Sequence, residues 1–282
     1  MLPEGFGEVA EKLRRSTVQV LSGDRGSNGS GSGIIWDADG TVITNAHVVP
    51  KKGVREEQVN VELWDGRSLS ATVAARDNYA DLVKLRMEAS TLPGAAWRES
   101  SSLRAGELAV AIGNPLGFIG ALTTGVVHGA GPMRGLGRRP WVHAAIRLAP
   151  GNSGGPLADA SGRVIGVNTM VIAGGVITGG LALAIPSELV ARFLERGSRP
   201  TLGIAIQPVR EGLLVVQVNP NSAAERASLM TGDLLPGITM DDLSEAIEQA
   251  AGSVLRLTFR RGGRATSREV SVAVPRQRRE AA

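Results

Sequence analysis

The chain has 282 residues and a net charge of +4, from 31 basic and 27 acidic side chains, with 43% hydrophobic and 21% charged residues. That balance predicts a soluble globular protein with real cores. One tyrosine and four phenylalanines leave too few aromatic partners for a nucleic-acid-binding face. The lack of cysteine excludes disulfides, cysteine-based zinc sites and a cysteine nucleophile.

The 37 glycines point to many turns and short strands rather than a helical bundle. No stretch reaches the ~18 apolar residues of a membrane span, and residues 1–15 lack the basic-then-apolar order of a signal peptide. In chain order, residues 4–15 read as an amphipathic helix with Phe6, Val9, Ala10 and Leu13 on one face. A strand follows over 17–21, then a Gly/Ser-rich loop over 22–33. Residues 33–36 and 41–44 read as a hairpin around Asp37-Ala38-Asp39-Gly40. Its second strand runs into Asn45-Ala46-His47. Another hairpin joins 59–64 and 70–75 through Asp65-Gly66, and Asp77 and Asp81 precede a strand at 82–85.

Strands are expected at 108–112, 121–128, 141–148, 164–168 and 180–185, with an arginine-bearing loop over 129–140 that reads as solvated. Pro186 opens a helix to about Glu195, with Ser187 as its N-cap. Gly197-Ser198-Arg199-Pro200 marks a break in composition. Beyond it, strands at 202–208, 213–218, 254–259 and 269–274 and helices at 223–229 and 241–251 make a small α+β module. The organisation expected is an N-terminal helical segment over 1–16, a β domain over 17–196, a linker over 197–201, the α+β module over 202–275 and a basic tail over 276–282.

Gly151-Asn152-Ser153-Gly154-Gly155-Pro156-Leu157 combines a small nucleophile with glycines that permit tight turns. Such a turn exposes a serine hydroxyl. It can also aim the N–H groups of Gly151 and Ser153 at one point, as an oxyanion hole requires. His47 is a candidate base and Asp81 its orienting carboxylate, with Asp77 the rival. The order His47, Asp81, Ser153 is one of the chain orders in which serine triads occur. His128 and His143 read as structural or surface residues, without the clustering of a metal site.

Thr44-Asn45-Ala46-His47-Val48-Val49, Asp81-Leu82, Gly113-Asn114-Pro115-Leu116-Gly117 and the Ser153 turn resemble the HtrA (Deg) family of serine proteases, and the downstream module resembles a PDZ domain. The resemblance implies a mainly β protein: a chymotrypsin-like double β-barrel followed by a small α+β PDZ-like domain. It implies His47, Asp81 and Ser153 as the triad and Gly151, Asn152 and Ser153 as the oxyanion hole. It further implies ATP-independent cleavage of unfolded polypeptides, no cofactor and no metal, and assembly as trimers or multiples of them. A bacterial cell-envelope location goes with the family; a cytoplasmic one stays open. Ala145 stands where the family often has aspartate, and residues 234–240 look too short for the strand and glycine turn a PDZ domain places there.

Leu148, Ile172, Leu181 and Leu183 would line a small apolar S1 pocket, giving cleavage after Val, Ala or Leu, and Arg147 disfavours a basic P1 side chain. Thr201-Leu202-Gly203-Ile204, with Ile247, would bind peptide C-termini by strand addition. Two other functions stay open: a holdase chaperone on a protease fold, and a PDZ-tethered protease with one dedicated substrate.

Overall fold

The computed structural model describes residues 5–21, 30–49, 58–114, 120–134, 136–172, 181–262 and 267–275. The loop at 22–29, Pro115 to Gly117, Ala173 to Gly175 and the basic tail lie outside them, as do the side chains of Phe6 and Ile172. The chain divides into two compact units, 1–133 with 139–195, and 134–138 with 196–282.

The first unit opens with α1 (Gly5–Ser16) and β1 (Thr17–Leu21). The helix buries Leu13, and its carbonyl accepts the Thr17 hydroxyl at 2.7 Å, which tethers the helix end to the strand start. Strands β2 (Ser30–Ile35), β3 (Thr41–Thr44), β4 (Gln58–Glu62), β5 (Ser68–Asp77) and β6 (Leu82–Met87) complete a closed barrel in the order β1-β2-β3-β6-β5-β4. The β2–β3 turn forms as its sequence dictates, with Asp37 Oδ1 accepting the N–H groups of Asp39 and Thr41 at 3.0 Å. Val18, Val20, Val42, Val61, Val83 and Leu85 fill the interior. Each such fully buried side chain contributes about 1.5–3 kcal/mol.

A second closed barrel has the order β10-β11-β12-β9-β8-β7. Its strands are β7 (Leu108–Gly113), β8 (Ala121–Pro132), β9 (Pro140–Ala145), β10 (Pro156–Asp159), β11 (Val164–Ile172) and β12 (Leu181–Pro186), followed by α2 (Ser187–Arg196). Three expectations need correction here. Strand β8 continues to Pro132: a bulge at His128, between Val127 and Gly129, shifts the register, and Gly129 and Gly131 pair with β9 beyond it. Strand β9 ends at Ala145 rather than Leu148. Ser187 is the first residue of α2, and its hydroxyl accepts the Ser100 N–H at 3.1 Å and donates to the Arg98 carbonyl at 2.8 Å instead of capping the helix.

The second unit holds β13 (Ile204–Val209), β14 (Gly212–Val218), α3 (Ala223–Arg226), β15 (Leu234–Pro236), α4 (Met240–Gln249), β16 (Val254–Phe259) and β17 (Arg268–Ala273). The segment read as too short for a strand does contain one. β15 pairs with β14, and Leu234 bridges Arg260 beside β16. Leu213, Val215, Leu235, Leu243, Leu257 and Val272 are among the buried side chains of this unit. Arg138 is not free in solvent, for within this unit its guanidinium meets Asp242 at 2.8 Å.

Candidate active site

His47 follows β3, and Asp81 occupies the turn before β6. Because β3 and β6 are paired neighbours, their ends bring the two residues together. Asp81 has φ +56, a left-handed conformation that aspartate tolerates better than most residues. Its backbone carbonyl accepts Ala46 N–H at 3.2 Å and Asn45 Nδ2 at 3.0 Å. Its Oδ1 accepts the His47 N–H at 3.0 Å, and its Oδ2 lies 2.9 Å from His47 Nδ1. The carboxylate thus holds both the backbone and the ring of His47, leaving Nε2 as the working nitrogen.

The second oxygen has a further donor that the sequence reading missed. Thr169 Oγ1, on β11, donates to Asp81 Oδ2 at 2.6 Å. Burial pushes the Asp81 carboxyl up, but hydrogen bonds from His47 and Thr169 more than reverse this and hold it below the ordinary carboxylate value. The hydrogen bond to Asp81 raises the His47 imidazole above its usual 6.5, against the opposing effect of burial. The His47 side chain is 50% exposed and Asp81 only 22%, so the imidazole faces solvent while the carboxylate is sheltered. Asp77 is buried, and its Oδ1 accepts the N–H groups of Tyr79 at 3.0 Å and Ala80 at 2.9 Å. Those bonds hold the turn that precedes Asp81.

Ser153 lies between β9 and β10. Asn152 N–H closes a turn onto the Ala149 carbonyl at 3.0 Å, with Pro150 and Gly151 at its centre and Gly151 at φ +102. Proline at the first central position and a positive-φ glycine at the second are the marks of a type II turn. Among the described residues, neither the Gly151 nor the Ser153 N–H has a protein acceptor, the condition an oxyanion hole needs. Ser153 Oγ lies 3.4 Å from the Thr169 carbonyl. No hydrogen bond from it to His47 occurs among the described residues, and such bonds are often loose before substrate binds.

The residues proposed for S1 separate. Leu148 is half-buried and packs on the second barrel's core, which includes Ala182 and Ala184. Alternation along β12 puts Leu181 and Leu183 on the opposite face from these alanines, and Leu183 is fully buried. The Ile172 side chain lies outside the description. Ala145 pairs with Val126 and Leu181 in the sheet. His143, on β9, is held below the ordinary imidazole value by burial, and His128 is exposed. Among the described residues no cluster suits a metal ion.

In the second unit, Thr201 is exposed and Leu202 is buried in the core. Gly203 has φ +77, and its carbonyl accepts the Asn219 N–H at 2.8 Å. Ile204 and Ile247 pack partly buried against the same core. Among the described residues strand β13 pairs only with β14 and is an edge of its sheet.

A family model described as a trypsin-like peptidase domain matches residues 31–167, the span that holds His47, Asp81 and Ser153. The chain is 32% identical to the serine protease HhoA of Synechocystis over 87% of its own length and 71% of that protein's. It is 33% identical to a DegP-like periplasmic serine endoprotease of Chlamydia trachomatis over 73% of its length but only 44% of that relative's. A solved structure of the HtrA-type protease AlgW with a decapeptide superposes with a TM-score of 0.60 at 25% identity, covering 95% of this chain and 98% of that one. The relatives' shared name agrees with the two barrels, the His47–Asp81 pair and the glycine-framed Ser153. The chain belongs to the HtrA (Deg) family of serine endopeptidases.

Proposed function

We propose that the protein cleaves unfolded or misfolded polypeptides, without ATP, through His47, Asp81 and Ser153. The observation that carries the reading is the chain of contacts from Thr169 through Asp81 to the exposed His47, beside a serine turn with two unclaimed N–H donors. Ser153 Oγ would bond to the scissile carbonyl carbon as its proton passes to His47 Nε2. The N–H groups of Gly151 and Ser153 would receive the oxyanion, and the Asn152 between them sets their spacing. The C–N bond then breaks as His47 returns the proton to the leaving amine, and water releases the acyl group by the same route in reverse.

A small apolar S1 site at Leu148 would favour cleavage after Val, Ala or Leu. The second unit is read as a PDZ-like domain that takes peptide C-termini by adding a strand to β13, with Thr201 to Ile204 and Ile247 at the site. AlgW's peptide complexes and the periplasmic naming of several relatives support a polypeptide substrate and a cell-envelope setting. Trimeric assembly follows from the family reading.

The test is casein digestion together with labelling by a serine-directed phosphonate. Both are expected for the wild type and lost in Ser153→Ala. Failure of the wild type to label at Ser153 under any condition sinks the enzyme reading. Aggregation suppression without cleavage would favour the holdase instead.

A further inference from the structure

The Ser153 turn is held from outside by one residue of the other barrel. Ser32, on β2, is fully buried. Its N–H donates to the Ser153 carbonyl at 2.8 Å, and its hydroxyl donates to the Gly151 carbonyl at 2.7 Å. The same hydroxyl accepts the Asn114 N–H at 2.9 Å. An N–H can only donate and a carbonyl can only accept, so the hydroxyl proton has one direction open to it, toward Gly151. The Ser32 carbonyl accepts Thr44 Oγ1 at 2.7 Å.

Four peptide groups span 150–154. The 151–152 group is held by Ser32 Oγ and by the Asn152–Ala149 bond. The 152–153 group is held by Gly155 N–H on the Asn152 carbonyl at 3.0 Å. The 153–154 group is held by Ser32 N–H and by Gly154 N–H on Asn168. Among the described residues only the 150–151 group, which carries the Gly151 N–H, has no such tie. Its orientation is therefore set by its neighbours, and Ser32 holds the nearer one.

We propose that Ser32 is a positioning residue for the oxyanion site: by tying the carbonyls of Gly151 and Ser153 to β2, it keeps the N–H groups of the same two residues free for the substrate oxygen. This rests on the reading of Ser153 as the nucleophile. It assigns to Ser32 an effect on transition-state binding and not on substrate binding, because Ser32 is buried and its hydroxyl, among the described residues, meets only the Gly151 carbonyl and the Asn114 N–H. A donor pair held loosely stabilises the oxyanion less than a preorganised one.

The test compares wild type, Ser32→Ala and Thr44→Val on a quenched casein-derived peptide that the wild type cuts, and on the aldehyde of the sequence N-terminal to that cut. With the aldehyde, the serine oxygen bonds to the carbonyl carbon, the serine proton passes to His47, and the carbonyl oxygen keeps the electron pair in the oxyanion site. Ser32→Ala is expected to lower kcat about 10–100-fold with KM within about twofold, and to weaken aldehyde binding by the same factor as kcat. Thr44→Val, which loses a bond to Ser32 but none to the turn, is expected to lower thermal stability while keeping kcat and aldehyde affinity within about threefold.

Unchanged kcat and aldehyde affinity in Ser32→Ala overturns the proposal, as does an equal loss in Thr44→Val. If Ser32→Ala does not fold, Ser32→Cys, with its weaker donor, is expected to show a smaller fall in kcat at constant KM, and no fall overturns the proposal. A wild type that neither cuts the peptide nor binds the aldehyde overturns the protease reading and this inference together. A wild type that does both, matched by the Ser32 variants, overturns this inference alone.

Discussion

Thr169 donates its hydroxyl to Asp81 Oδ2 at 2.6 Å across the two barrels of the protease unit. The carboxylate therefore takes hydrogen bonds from both sides, from His47 and from Thr169, and its plane is fixed. Thr169→Val removes that bond at nearly constant volume. A hydrogen bond to a charged group is worth about 1.5–3 kcal/mol. If roughly half of this is felt in the transition state, kcat falls about tenfold, with Thr169→Ser close to wild type. Steady-state kinetics on a single peptide substrate measures both.

The pH profile carries a second expectation. In the proposed mechanism His47 can act as base only when neutral, and its bond to Asp81 raises its value above 6.5. The acid limb of kcat/KM should therefore fall at a pH above 6.5, with activity rising as pH increases through it. Asp81→Asn removes the raising influence and leaves burial, which acts the other way. In that variant the limb moves below 6.5, and turnover falls by about 10⁴. A limb that does not move would separate Asp81 from His47.

Gly154 has φ +84, and a Cβ there would overlap the Ser32 carbonyl oxygen and Thr44 Oγ1. Gly154→Ala is expected to cost at least about 1–2 kcal/mol from the backbone conformation alone. It should also displace the turn that Ser32 holds. Thermal unfolding should show the lost stability, and phosphonate labelling of Ser153 should slow in the same variant.

In the second unit, Thr239 and Asp242 cap α4 reciprocally. Asp242 is held at about 2, below its ordinary 3.8, first by the Thr239 hydroxyl, then by the Thr239 N–H and by Arg138. A depressed carboxyl contributes stability above its unfolded value and loses it as pH falls through its folded one. Thr239→Ala removes that hydroxyl and the cap on α4, so α4 protection should fall at neutral pH. The gap to wild type should shrink between pH 4 and pH 2. Amide hydrogen exchange of α4 in the full chain reads this, and the rate of Ser153 labelling should not change.

Local chemistry was legible in the sequence. The Asp37–Gly40 turn, the β4–β5 hairpin and α4 follow from neighbouring residues, and His47 and Ser153 stand in motifs specific enough to read directly. Asp81 was separable from Asp77 only in three dimensions, where Asp77 spends an oxygen on its own turn. Ser32 and Thr169 were not legible, because their partners lie 119 and 88 residues away. Ser32 was also read as part of a glycine-serine loop, although Ser30 to Gly33 belong to β2. Strand β10 escaped notice because it has four residues and begins with proline, a residue that argues against a central strand. The S1 residues were read by composition, whereas strand alternation decides which of them share a face with Leu148.

Both barrels close on themselves, so their strands present no open row of backbone donors and acceptors. Sticky, extended chains recruit exactly such rows when they begin to form cross-β stacks. Cleavage of unfolded chains, as proposed, would expose the protein to that hazard at every encounter. In the protease unit, closure would leave such a chain little to adhere to away from His47 and Ser153. The edge at β13 belongs to the other unit, where strand pairing, on the proposed reading, would be reversible docking.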